Sequence, residues 1–254
     1  MASLKTYLDV QALPRNGTAA TGDAVRRLDE HGGPVVASSH VTERIPAMRA
    51  FVAVVLALWL AGVVLLGAGG AFVAQPGIPP YPVAIGVAAP LIAFLVALSV
   101  SAAFRRFVTH GDTLLVAAIQ SWRWAGFSFI GLYVYGVLPG LFAWPAALGD
   151  MTIGLTAPLI VLALVRRPGF AASRRFVIWN LLGILDLVVA VSLAAIVQMM
   201  ATGAPGEVTA APMARLPLLL VPGFLVPLFI MLHLSALLQA RRAVKEAAAV
   251  SKVG

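Results

Sequence analysis

Cysteine is absent from this chain of 254 residues, and charged residues make up only 11% of it. Without cysteine the chain has no disulfide, no thiolate nucleophile and no Cys-ligated metal site. A soluble domain usually carries about 25% charged residues, whereas here 61% of all residues are hydrophobic. Water would not solvate a globule of this composition, so the sequence predicts an integral membrane protein.

Several motifs of enzyme chemistry are missing as well. The sequence has no Walker loop, dinucleotide fingerprint, Gly-x-Ser-x-Gly elbow or zinc-helix motif. Only His233 among the four histidines falls in a long apolar segment, which disfavours haem held by two histidines. We therefore predict no cofactor and no metal. An enzyme that acts on lipid or quinone remains an alternative, although no motif in the sequence supports it. The net charge of +8 lies in short clusters without interleaved aromatic residues, so we expect no nucleic-acid partner.

Long apolar runs predict an all-α bundle of membrane-spanning helices. A spanning helix needs about 20 mostly apolar residues, and the continuous runs exclude the alternating pattern of a β-barrel. Residues 48–239 are the predicted transmembrane domain, between a flexible N-terminal tail (1–47, with one short helix near residues 22–31) and a basic C-terminal tail (240–254). The six predicted spans are residues 48–73, 82–104, 113–136, 146–165, 176–200 and 216–239.

Basic residues collect on one side of the predicted bundle. Lys and Arg near span ends stay in the cytoplasm, so both termini are predicted to be cytoplasmic. The chain, rich in Ala, Val, Leu and Arg, is typical of a bacterial inner-membrane protein. The residues on the predicted cytoplasmic side are Arg44, Arg49, Arg105, Arg106, Arg166, Arg167, Arg174, Arg175, Arg241, Arg242 and Lys245.

A short motif recurs in the second, fourth and sixth predicted spans. "GVAAPLIA", "GLTAPLIV" and "GFLVPLFI" each contain Gly-x-x-x-Pro-Leu, at nearly equal separations. This indicates three repeated two-helix hairpins, although Gly, Pro and Leu are common in membrane helices and the odd-numbered spans align poorly. A mid-helix proline frees the carbonyl four residues back. The predicted kinks are Pro90 with Gly86, Pro158 with Gly154, and Pro227 with Gly223.

Arg123 lies in the middle of the third predicted span, about 15 Å from the cytoplasmic face. Helical spacing would put Gln120 and Phe127 on its face. Asp186 lies at the same depth in the fifth span. An unpaired charge at this depth is costly, so we predict an Arg123–Asp186 pair, which would serve as a structural clamp or face a solute cavity.

Three further polar residues lie within the predicted spans. Asp150 is predicted to lie about one turn inside the outer face. It would be an exposed carboxylate at a helix start, where the helix dipole favours it. Alternatively, it would form the outer mouth of a polar path or pair with Arg215. His233 and Asn180 lie nearer the cytoplasmic end. A lone buried histidine is usually hydrogen-bonded structure, but Asp150, His233 and Asn180 are also gate or proton-relay candidates.

The sequence favours a permease or channel-like transporter of a small solute, with a proton as the candidate coupling ion. The alternative is a non-transporting membrane module, such as a sensor, an assembly factor or a subunit of a larger complex. The expected partners are the lipid bilayer, a small solute or proton, and either a second copy of the chain or another membrane protein. A hydrated cavity surrounded by Arg123 and the prolines of the even-numbered spans would favour transport, whereas an outward-facing patch of these residues would favour a protein partner.

Overall fold

A computed structural model describes residues 44–250, and these residues are helical without any strand. The predicted N-terminal tail, its short helix and the last four residues lie outside the described range, apart from residues 44–47. The prediction of an all-α protein is confirmed for the described part. The helices are α1 (Arg44–Ala68), α2 (Tyr81–Val100), α3 (Ala102–Thr109), α4 (Thr113–Ile119), α5 (Ser128–Val134), α6 (Gly140–Arg166), α7 (Arg174–Met200) and α8 (Val226–Val250).

Five of these helices, α1, α2, α6, α7 and α8, are long and apolar enough to cross a membrane. Their outer surfaces carry large apolar side chains, such as Leu65, which is 73% exposed, and Val100, which is 78% exposed. Exposed apolar side chains over so large an area are typical of a surface that contacts lipid or another protein rather than water. The five helices therefore indicate a multi-pass membrane protein.

Local sequence signals determine where several helices begin and end. Ser101, Asp112 and Ser173 cap α3, α4 and α7, because each side chain accepts a backbone N–H from the first turn of its helix. Gly136 follows α5 with φ of 67°, a left-handed conformation that glycine adopts without the Cβ penalty. The last helix continues to Val250, so residues 240–250 of the predicted C-terminal tail are helical.

The region of the third predicted span is helical but not uniformly α-helical. Between α4 and α5 lies a 3₁₀ segment of eight residues, Gln120–Phe127. Runs of 3₁₀ helix longer than three or four residues are uncommon, and within a helix they often mark a functional position. Because a 3₁₀ helix has three residues per turn, every third residue faces the same way. Gln120, Arg123 and Gly126 are all buried.

The predicted position of Asp150 near a helix start is wrong, because α6 begins at Gly140 and not near residue 146. The predicted span begins at residue 146, directly after Pro145, but this proline lies inside α6. Asp150 is therefore about 15 Å, or almost three turns, along the helix.

The three motif prolines occupy unlike environments. Pro90 lies within α2 and is partly buried, and Pro158 lies within α6 and is exposed. Pro227 is buried and follows a π-helical turn, Val221–Leu225, at the start of α8. A Cβ on Gly223 would meet Val63, and one on Gly86 would meet Phe72. These two glycines therefore leave room for neighbouring side chains.

The α7–α8 connection is organised by one carboxylate. Glu207 Oε2 accepts hydrogen bonds from the backbone N–H groups of Thr202 and Gly203, both at 2.8 Å, and from the Thr202 hydroxyl at 2.9 Å. These donors favour the ionised form, so the backbone N–H of Thr202 above all lowers the pKa of Glu207.

Candidate functional site: a buried charged cluster

Arg123 lies in the interior of the bundle, with only 2% of its surface exposed. Its Nε donates to Asp150 Oδ1 at 2.7 Å, and a terminal nitrogen donates to Asp186 Oδ2. The other terminal nitrogen donates to the Gly183 carbonyl at 3.2 Å and to His233 Nε2 at 3.1 Å. All three nitrogens of the guanidinium therefore have partners, as a desolvated cation requires.

Four helical elements supply this group of side chains, which we call the Arg123 cluster. Arg123 comes from the 3₁₀ segment, Asp150 from α6, Asp186 and Asn180 from α7, and His233 from α8. The structure thus brings together five of the residues singled out in the sequence. Gln120 is buried nearby but donates to the Phe229 carbonyl at 3.4 Å instead.

The cluster has more acidic than basic groups. Two carboxylates share one guanidinium, so the cluster carries one net negative charge when both are ionised. The carboxylate side chains keep 16% (Asp150) and 14% (Asp186) of their surface exposed, against 1% for Arg123. An uncompensated charge in a low-dielectric site favours the uptake of a proton or another cation. The arrangement can therefore bind one positive charge.

Hydrogen-bond roles determine the protonation state of His233. The Arg123 guanidinium only donates, so His233 Nε2 must accept and carries no proton. His233 Nδ1 lies 2.9 Å from Asn180 Oδ1, and Asn180 Nδ2 donates to the Phe176 carbonyl at 2.8 Å. Every donor and acceptor in this series of hydrogen bonds has a partner when the imidazole is neutral and protonated on Nδ1.

This assignment predicts a single tautomer for His233. In ¹⁵N-histidine-labelled protein at neutral pH, we expect one imidazole signal set to show a protonated Nδ1 and an unprotonated Nε2. The His233→Gln variant identifies the signals by their disappearance. A cationic ring, or an Nε2-protonated ring, at His233 would contradict the assignment.

Three glycines make room for side chains of the Arg123 cluster. A Cβ on Gly149 would overlap the Asp186 carboxylate, one on Gly126 would overlap Asp150, and one on Gly183 would overlap the His233 ring. A fourth, Gly154, faces the backbone of Arg123 and Trp124. Small residues let membrane helices approach closely. The sequence analysis gave Gly154 a different role, as a freed carbonyl, and missed Gly126 and Gly149, although Gly149 directly precedes Asp150 in the chain.

Phe127 does not share the face of Arg123 as predicted, since its side chain is 48% exposed. The prediction assumed α-helical spacing, whereas the 3₁₀ segment places Gly126 three residues after Arg123 on the same side. Asp150 contacts Arg123 and not Arg215, which was one of the alternatives that the sequence left open for it.

An open-sided cavity extends to Asp150 from the end of the bundle where α6 begins, which we call the upper end. Its empty volume is about 840 Å³, including the part that opens to the surroundings. Three α6 residues at intervals of four line the cavity: Phe142, Ala146 and Asp150. They lie on one face of the helix and span about 12 Å along its axis. Among the lining residues, only Asp150 and Gln198 are polar. None of the three motif prolines lines it.

A packed core lies between the cluster and the opposite end of the bundle, which we call the lower end. Phe176, Ala236 and Ala240 form this core, and each is at most 1% exposed. Gln239 on α8 donates to the Val108 carbonyl at 2.8 Å and so ties α8 to α3. In the described part of the chain, the Arg123 cluster therefore meets the upper cavity at Asp150 and has packed side chains below it.

The fold and the site together define the class: a multi-pass membrane helical bundle with a buried charged cluster beneath an apolar cavity. The chain belongs to the family described as "Domain of unknown function (DUF8737)", whose match covers residues 80–241. This range contains every residue of the Arg123 cluster. No curated protein and no solved structure matches the chain.

Proposed function

We propose that the protein is a proton-linked carrier of a small solute in a bacterial inner membrane, with the Arg123 cluster as its coupling site. One observation carries this proposal. Asp150 belongs to a buried cluster with one excess negative charge and also lines a cavity that opens at one end of the bundle. In one of its end states, a carrier needs a site that binds its charged cargo and that opens to one side of the membrane.

The proposed topology has six spans with both termini in the cytoplasm. In addition to the five long helices, Thr113–Val134 would be the third span, as α4, the 3₁₀ segment and α5 together extend roughly 37 Å at the usual rises per residue. This exceeds the hydrocarbon thickness of about 30 Å. Arg166, Arg167, Arg174 and Arg175 lie at the lower end, which the positive-inside rule assigns to the cytoplasm. The cavity would then face outward.

A carrier fits these observations better than an open channel, because a packed core lies below the cluster in the described part of the chain. A non-transporting module is the second candidate, and the exposed aromatic side chains of Trp122 and Trp124 favour it, at 74% and 51% exposure. They offer a surface for a second copy or another membrane protein. The buried charges, however, point away from that surface.

Proton movement in proteoliposomes tests the proposal. With a pH-sensitive dye inside and a panel of small solutes outside, we expect at least one solute to cause proton flux. Asp150→Asn and Asp186→Asn keep the side-chain size but each remove the excess charge, so we expect the flux to fall at least tenfold. Glu246→Gln is the control, because it removes an exposed carboxylate outside the cluster. No flux with any solute, or equal flux in all variants, would refute the carrier.

A further inference from the structure

We infer that the upper cavity binds a lipophilic amine in its protonated form; this inference rests on the proposed carrier function and names its substrate class. The argument comes from the one charged side chain that lines the cavity, Asp150, and from the apolar character of nearly all the rest of the lining. The ligand must therefore be largely apolar, with its polar group directed to Asp150.

Asp150 offers the hydrogen-bond acceptor. It uses Oδ1 for Arg123, which leaves Oδ2 available for a ligand. Gln198, the other polar residue of the lining, lies about 18 Å from Asp186 along α7, and its Oε1 is buried. A single polar group bound at Asp150 therefore does not reach Gln198.

A protonated amine satisfies this requirement. It brings a donor for Asp150 Oδ2, and its charge neutralises the excess negative charge of the Arg123 cluster. A neutral alcohol brings one donor and no charge, and a carboxylic acid brings the wrong charge. The same reasoning explains the coupling, because a proton and an ammonium group would compete for one negative charge at Asp150. The carrier would then exchange amine for proton.

Isothermal titration of the purified protein in detergent with three matched compounds tests the inference. The probes are 4-phenylbutylamine, its quaternary N,N,N-trimethyl derivative and 4-phenylbutanol. We expect the primary amine to bind most tightly, the quaternary cation more weakly because it has no donor, and the alcohol most weakly. Asp150→Asn should weaken amine binding at least tenfold, as loss of a hydrogen bond to a charged group does.

Glu246→Gln should bind the amine like the wild type, because this carboxylate lies outside the cavity. Equal affinity of the wild type for amine and alcohol would overturn the inference and identify an apolar occupant instead. Unchanged amine affinity in Asp150→Asn would also overturn it. The experiments distinguish the amine inference from the carrier proposal. Proton flux with another solute but no amine binding refutes only the amine inference. Asp150-dependent amine binding without any flux refutes only the carrier.

Discussion

Replacing Arg123 with leucine is expected to lower the free energy of unfolding by about 3–5 kcal/mol, the usual cost of breaking a buried ion pair. The substitution leaves Asp150 and Asp186 without their shared cation, and it also removes donors from His233 Nε2 and the Gly183 carbonyl. Thermal unfolding in detergent, followed by tryptophan fluorescence and circular dichroism, measures the loss.

The matched control is Arg242→Leu. It breaks the Arg242–Glu246 pair, whose side chains are 38% and 61% exposed, and exposed pairs contribute about 0–1 kcal/mol. Combining Arg123→Leu with Asp150→Asn and Asp186→Asn should restore part of the lost stability, since the unpaired carboxylates cause much of the penalty. If Arg123→Leu is no more destabilising than Arg242→Leu, the cluster does not hold the bundle together.

Gly154→Ala is expected to have the second-largest effect. The added Cβ would overlap the backbone of Arg123 and Trp124, with the Trp124 Cα only 2.8 Å away. Backbone atoms cannot rotate out of the way, so α6 and the 3₁₀ segment must separate. Overpacking of this kind usually costs about 1–3 kcal/mol, and we expect the proposed carrier activity to fall with it because Arg123 would shift relative to Asp150.

Gly131→Ala is a close control in the same region of the chain. A Cβ at Gly131 in α5 meets nothing within 4 Å, and alanine in place of a helical glycine stabilises by about 0.5–1 kcal/mol. The two substitutions should therefore move the melting temperature in opposite directions. A similar small change in both would mean that α6 and the 3₁₀ segment are not in tight contact.

The sequence predicted much of this organisation because it depends on composition and on distance along a helix. Apolar length predicted the long helices, and the cost of a buried charge predicted that Arg123 would need an acidic partner at equal depth. Asp186 was found by counting residues from one end of each span. The same counting misplaced Asp150, because a proline within the first turns of α6 was taken for a helix boundary.

Other features depend on how distant segments meet, and no periodicity in the sequence reveals them. The 3₁₀ winding that turns Gly126 toward Asp150 differs from α-helical winding by only a fraction of a residue per turn. The hydrogen-bond chain from Arg123 through His233 to Asn180 joins three separate elements. The upper cavity is the space left between several helices and their connections, so it exists only once they are packed.

The sequence alone thus determined the class of protein, since long apolar stretches with few charges are stable only as helices in lipid. It also determined that Arg123 needed compensation, since a permanent cation in an apolar region must find an anion or water. Tertiary structure alone decided that two carboxylates share this cation, and that one of them faces a cavity. Both depend on which faces of separate helices come into contact, and close packing at Gly149, Gly154 and Gly183 determines those faces.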